Sequence, residues 1–153
     1  MQATTFQPSN MVFHGIGQLE VNYDLPWVNA LAAARGDGRI DPEILDLKLP
    51  VTDKGKKKVS IALFEFNIKV PSLWVEQQMD EKNCRPASHE EILAYCTLHP
   101  KRRKALIALN AKWKSGTSYV LVIGNRGGVR FIHGQYALSN FPPETQFLAV
   151  KFD

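Results

Sequence analysis

Arg85-Pro86-Ala87-Ser88-His89-Glu90-Glu91 is the stretch that decides how this chain folds. Ser88 stands three residues before Glu91, the spacing of a capping box. In that motif the serine hydroxyl accepts from the glutamate amide, and the carboxylate reaches back to the serine amide. Arg85-Pro86 makes a rigid lead-in, because proline fixes its own backbone and drives the residue before it to an extended conformation. A helix therefore starts here. Ile92, Leu93, Tyr95 and Cys96 give it an apolar stripe, and Pro100 ends it.

On the N-terminal side, Pro71-Ser72 opens a helix through Trp74, Val75 and Met79 that ends near Asn83. Before it, Val59 to Phe66 alternates, with Val59, Ile61 and Leu63 on one face and Phe64 and Phe66 on the other. That pattern predicts a strand covered on both sides. Asp24-Leu25-Pro26-Trp27 starts a helix through Val28, Leu31 and Ala34, which stops near Gly36 or Gly38. Asp41-Pro42-Glu43 opens a further turn with Ile44, Leu45 and Leu47. Val12 to Asn22 alternates poorly and reads as an early strand interrupted by Gly15 and Gly17. Residues 1–10 are polar and aperiodic, a flexible arm ahead of a single domain over 11–153.

On the C-terminal side, Ala105 to Leu109 and Tyr119 to Ile123 are short apolar runs. Gly124-Asn125-Arg126-Gly127-Gly128 supplies a tight connection into Val129 to Ile132. Residues 110–118 and 133–145 read as loops, and Gln146 to Phe152 as a strong terminal strand. The order predicts an α+β domain with helices preceding a mostly antiparallel sheet.

The chain has 153 residues, 44% hydrophobic and 22% charged, enough for one buried core. No apolar run approaches the ~20 residues of a membrane-spanning helix. The N-terminus lacks the basic and apolar parts of a secretory signal. A cytoplasmic protein without a membrane partner is expected. Cys84 and Cys96 are too few for a disulfide framework and read as reduced thiols.

Net charge is +4 and the sequence pI is about 9.1. Lys54, Lys56, Lys57 and Lys58 form one basic cluster; Lys101, Arg102, Arg103 and Lys104 form another. Such clusters can neutralise phosphates, and nucleic-acid binding through them, with Arg126 and Arg130, is one alternative function. A solvated hairpin tip and a solvated helix exit, where cations also favour the helix dipole, are the preferred account of them.

The motifs Arg85-Pro86-Ala87-Ser88-x-x-Glu91-Ile92, Leu106-Ile107-Ala108-Leu109-Asn110-x-x-Trp113 and Gln146-Phe147-Leu148-Ala149-Val150-Lys151 are similar to those of an uncharacterised bacterial family. Its members carry RPAT-x-x-EL, IVALGS-x-W and RFLAVR in this order, and the resemblance spans roughly residues 20–153. It implies no activity. More distantly, residues 70–97 and 146–152 resemble the C-type lectin-like fold in its sulfatase-modifying-factor branch, which implies a scaffold with recognition loops. The enzymes of that branch use cysteines late in the chain, whereas none follows Cys96 here. The Glu-Pro-Asn and Trp-Asn-Asp triplets of calcium-dependent lectins are missing as well.

His14, His89, His99 and His133 lack the spacing of a zinc site, so neither metal nor cofactor is expected. His89, in the first turn after the cap, reads as solvent-facing. A cysteine-dependent enzyme would pair Cys84 or Cys96 with His89 or His133, but Cys96 falls on its helix's apolar stripe, where a thiol is inert. Trp74 reads as core. Trp113, flanked by Lys112 and Lys114, reads as a surface platform, joined by Tyr119, Arg126, Arg130 and Tyr136. Aromatic faces beside cations suit nucleotides, single strands or an acidic protein partner, and the leading expectation is a non-catalytic module that recognises a protein partner through the loops of its C-terminal half. Ser88→Ala should lower the free energy of unfolding in urea by about 1 kcal/mol. A loss indistinguishable from zero would move the helix start elsewhere.

Overall fold

A computed structural model describes residues 10–115 and 117–152; the expected arm lies outside them except for Asn10. In chain order the elements are β1 (Met11–Asn22), α1 (Trp27–Arg35), β2 (Arg39–Ile40), α2 (Pro42–Leu45), β3 (Lys56–Phe66), β4 (Val70–Pro71), α3 (Ser72–Glu81), β5 (Cys84–Pro86), α4 (His89–Leu98), β6 (Leu106–Ser115), β7 (Thr117–Arg126), β8 (Val129–Tyr136), β9 (Asn140–Phe141) and β10 (Gln146–Lys151). The main sheet runs β1-β3-β10-β6-β7-β8-β2, with β5 added beside β10. Its pairings are antiparallel except β6 with β10 and β2 with β8. The α+β class holds. The order of helices first does not, because β1 precedes every helix, β3 precedes α3 and α4, and both strands belong to the main sheet.

Alternation along the strands sends side chains to two cores, one per face. Ile61, Leu63, Leu121, Ile123 and Leu148 meet Leu31 of α1, Ile44 of α2 and Ile92 of α4 on one face. Ala62, Phe64, Phe66, Val120, Val122 and Phe147 meet Val75 and Met79 of α3 on the other. Layers of this kind satisfy an apolar sheet on both sides. β3 is therefore covered twice, as its pattern requires.

The capping box forms at the junction of sheet and helix. Arg85 and Pro86 in β5 pair with Val150 and Ala149 of β10, and Ala87 donates its amide to the Leu148 carbonyl at 3.0 Å. One residue later Ser88 caps α4: Glu91 N–H donates to Ser88 Oγ at 3.3 Å and Ser88 N–H to Glu91 Oε1 at 2.8 Å. The strand and helix thus share one rigid turn. The last strand does not finish the sheet at an edge; β10 lies in its interior, between β3 and the tandem pair β5 and β6.

β6 and β7 extend much further than their apolar cores, so residues 110–115 are strand and not loop. The register shifts between Ala108 and Lys112, and this irregularity hides the alternation from the sequence. β8 likewise continues to Tyr136 into the expected second loop. Arg126 opposite Val129 leaves Gly127-Gly128 as a two-residue turn with φ of 59° and 85°, angles that both central residues of a type I′ turn require. A second irregularity sits in β1, where Gly15 faces Ala62 and Gly17 faces Ile61, leaving Ile16 as the extra residue. β1 is the long edge of the sheet, and β2, the other edge, has two residues.

Glu91 carries a further load. It is 0% exposed and takes both terminal nitrogens of Arg85 at 2.9 and 2.6 Å and the Tyr23 hydroxyl at 2.6 Å. Burial alone would push its carboxyl up; the Arg85 guanidinium, the Ser88 amide and the Tyr23 hydroxyl outweigh it and hold the carboxyl below its ordinary value of 4.5. Tyr23 is pushed up, by burial first and by the same carboxylate second. A depressed carboxyl stabilises the fold fully above its unfolded value and loses that contribution as pH falls through the folded one. The stability gap between wild type and Glu91→Gln should therefore be widest near pH 7 and shrink below about pH 4.5. A gap that stays constant in urea titrations from pH 7 to pH 3 would contradict this.

Candidate functional site

Trp113 on β6, Tyr119 on β7 and Tyr136 on β8 stand on three neighbouring strands, in register: Trp113 faces Tyr119, and Tyr119 faces Tyr136. Their rings form a ladder. Trp113 stacks on Tyr119 at 5.9 Å and 20°, and Tyr119 tilts against Tyr136 at 5.4 Å and 44°. The tryptophan packs against the core beneath α1 and α4, so the ladder continues that face out to the sheet's end. Gly134 makes room for it: a Cβ there would lie 2.5 Å from Trp113 Cζ2. Tyr136 is 48% exposed, and Leu138 two residues later is 86% exposed.

The other expected members of this surface lie elsewhere. Lys112 reaches Glu76 of α3 at 3.1 Å, on the opposite face of the sheet from Trp113. Lys114 shares that face by alternation. Arg126 stacks on Phe131 at 4.3 Å, also on the opposite face, at the far end of β7. Arg130 is not a surface residue. Its guanidinium is buried and donates to the carbonyls of Ala34 and Cys96 at 2.8 Å each and of His99 at 2.5 Å. It satisfies the last carbonyls of α1 and α4, where a cation also complements the helix dipoles. A lone arginine beside a glycine turn carries no sequence signal of that role.

The two basic clusters do not form one surface. Lys56, Lys57 and Lys58 begin β3, with Lys57 paired to Asp53 at 2.6 Å. At the other end of the same strand Lys104 pairs with Glu65 at 2.9 Å, while Arg102 bonds Gln146 and covers the Tyr95 ring. From Lys58 to Glu65 is seven residues, roughly 23 Å of strand at about 3.3 Å each. Lys101 and Arg103 are exposed beside that second end.

Among the described residues no hydrogen bond joins either thiol to a histidine, and the Cys84 thiol donates to the Lys82 carbonyl at 3.5 Å. Cys84 lies in one core and Cys96 in the other, on opposite sides of the sheet. Burial pushes Cys96 up to about 11 and raises Cys84 as well, so both are protonated near neutral pH. His133 bonds the Gly134 carbonyl at 3.2 Å and is held below its ordinary value by burial. Among the described residues no group of three or more His, Cys, Asp or Glu could hold a metal ion. No helix of these residues is long and apolar enough to cross a membrane.

His89 departs from the solvent-facing expectation, at 7% exposure. It and Glu90 turn into a cavity of about 370 Å³ between the start of α1, the start of α4 and the segment 49–51. Thr52, beside that segment, donates to Glu90 through both its amide and its hydroxyl, and this pins the segment over α4 and buries the two side chains. No local sequence signal marks either residue, since the contact spans 38 positions.

Gly134→Ala should displace the indole of Trp113, changing the near-ultraviolet circular dichroism and costing about 1–3 kcal/mol, as overpacking does. An unchanged spectrum and stability would mean that the ladder is loosely held. Likeness to other proteins does not add to this geometry: no family model matches the chain, and no curated protein or solved structure matches it.

Proposed function

We propose that this chain is a non-catalytic recognition module, C-type-lectin-like in architecture, that docks a protein partner on the Trp113–Tyr119–Tyr136 ladder. The ladder's single most telling property is its separation from charge. Alternation along β6 and β7 turns Lys112, Lys114 and Arg126 to the opposite face, so among the described residues no cation is interleaved with the three rings. Single-stranded nucleic acid is held by aromatic platforms within a basic groove, and that combination is split here. Rings with hydroxyl tips beside exposed Leu138 suit the apolar centre and polar rim of a protein interface. The surface therefore belongs to paired strands, with the loop after β8 at its margin. Two buried thiols kept on opposite sides of a sheet suit a reducing compartment, and the cytoplasm is the proposed location.

Affinity capture from host extract, followed by reconstitution with the purified partner, tests the reading. A protein partner should bind wild type, resist nuclease, and lose about tenfold or more in affinity with Tyr136→Ala, a change confined to a half-exposed ring. Undiminished binding by Tyr136→Ala and Trp113→Phe overturns the docking surface. Retention abolished by nuclease, or by replacing Lys56, Lys57, Arg102 and Arg103 with Ala, transfers the function to nucleic acid.

A further inference from the structure

We propose that the cavity between α1 and α4 binds a small organic monocation, an ammonium group carried on an apolar or aromatic body. Its volume of about 370 Å³ falls in the range of ligand pockets. Trp27, Leu49, Val51 and Leu93 supply apolar walls, and the charged residues on its lining are Asp24 and Glu90. No lysine or arginine lines it, in a chain whose net charge is +4.

Two buried polar side chains line this space. Glu90 is 9% exposed, and Thr52 fixes its two oxygens at 3.1 and 2.5 Å. Those donors are neutral, and among the described residues no lysine or arginine pairs with the carboxylate. A buried carboxylate without a counter-cation is costly, and an ammonium group would relieve that cost with charge-assisted hydrogen bonds. His89 stands beside it, its Nε2 3.5 Å from Glu90 Oε1. Burial holds the imidazole below its ordinary value, so near neutral pH it is uncharged and presents one acceptor nitrogen. No hydrogen bond to either ring nitrogen is formed among the described residues. The edge-to-face contact with Trp27 at 5.4 Å and 75° holds the ring in the wall.

An anion is disfavoured by the same geometry. The first turn of α4 carries Glu90 and Glu91, and Ser88 occupies the Glu91 amide. Arg85, which is not on the lining, spends both terminal nitrogens on Glu91. The cation site shares no residue with the aromatic ladder: none of Trp113, Tyr119 and Tyr136 is on its lining.

Phenethylamine and tryptamine are the probes, titrated at pH 7.5 into the full chain while the Trp27 indole N–H is followed by two-dimensional NMR. Saturable shifts at Trp27 and around Glu90 are expected for both amines. Phenylethanol and 3-phenylpropanoate, which match phenethylamine in shape, should bind at least about tenfold more weakly, as the loss of a charge-assisted bond implies. Glu90→Gln should weaken amine binding by a similar factor, and Tyr136→Ala should leave it unchanged. Leu49→Trp, which fills the cavity from its rim, should abolish binding and decides the matter if Glu90→Gln does not fold. Equal binding of amine and alcohol, undiminished binding by Glu90→Gln or Leu49→Trp, or no shift at Trp27 overturns the proposal.

Discussion

The carboxylate of Glu91 holds together parts of the chain that would otherwise have no reason to meet. Its oxygens take the Ser88 amide, the Arg85 guanidinium and the Tyr23 hydroxyl, which belong to a helix start, a strand of the sheet and the segment after β1. Sealing an ion from water costs several kcal/mol, so such a group persists only when its lone pairs are used. Four donations to two oxygens meet that condition. The return is geometric: β5 must lie beside α4, and β1 must end over both. The positions of α1 and of the 47–55 segment follow, because each packs against the surface that this knot fixes.

A sheet with a core on each side leaves little room for function in its middle. The central residues of β3 and β10 are buried from both faces, so the two proposed sites lie where one cover stops. The helical cover ends along the distal reaches of β6, β7 and β8, where the aromatic rings emerge, and it opens between α1 and α4. In both places side chains belonging to the core's own alternation come into view. Specific recognition surfaces built this way inherit their rigidity from the scaffold.

Local chemistry was legible and long-range chemistry was not. The Ser88–Glu91 pair, the alternation of Val59 to Phe66 and the adjacent Gly127 and Gly128 each act within a few residues, and each forms as its spacing demands. The aromatic trio was visible as types, while its assembly depended on strands whose register slips at Ala108–Lys112. Arg126 and Arg130 looked alike on paper. One lies over a phenylalanine at a hairpin tip, and the other is sealed beneath two helix ends. His89 reads as solvent-facing because a first helical turn usually is; it is buried beside Glu90, which the distant Thr52 holds, and nothing near them in the chain announces it.

The extra residue in β1 has a bearing on self-association. An edge twelve residues long, with Glu20 its lone acidic or basic residue apart from His14, would invite other chains to add strands in endless succession. Gly17, at φ 94°, breaks the ladder where Ile16 is inserted, so an incoming strand can match the stretch before the kink or the stretch after it, but not both without carrying the same kink. Strand addition along that border is thereby opposed by backbone shape rather than by repulsion.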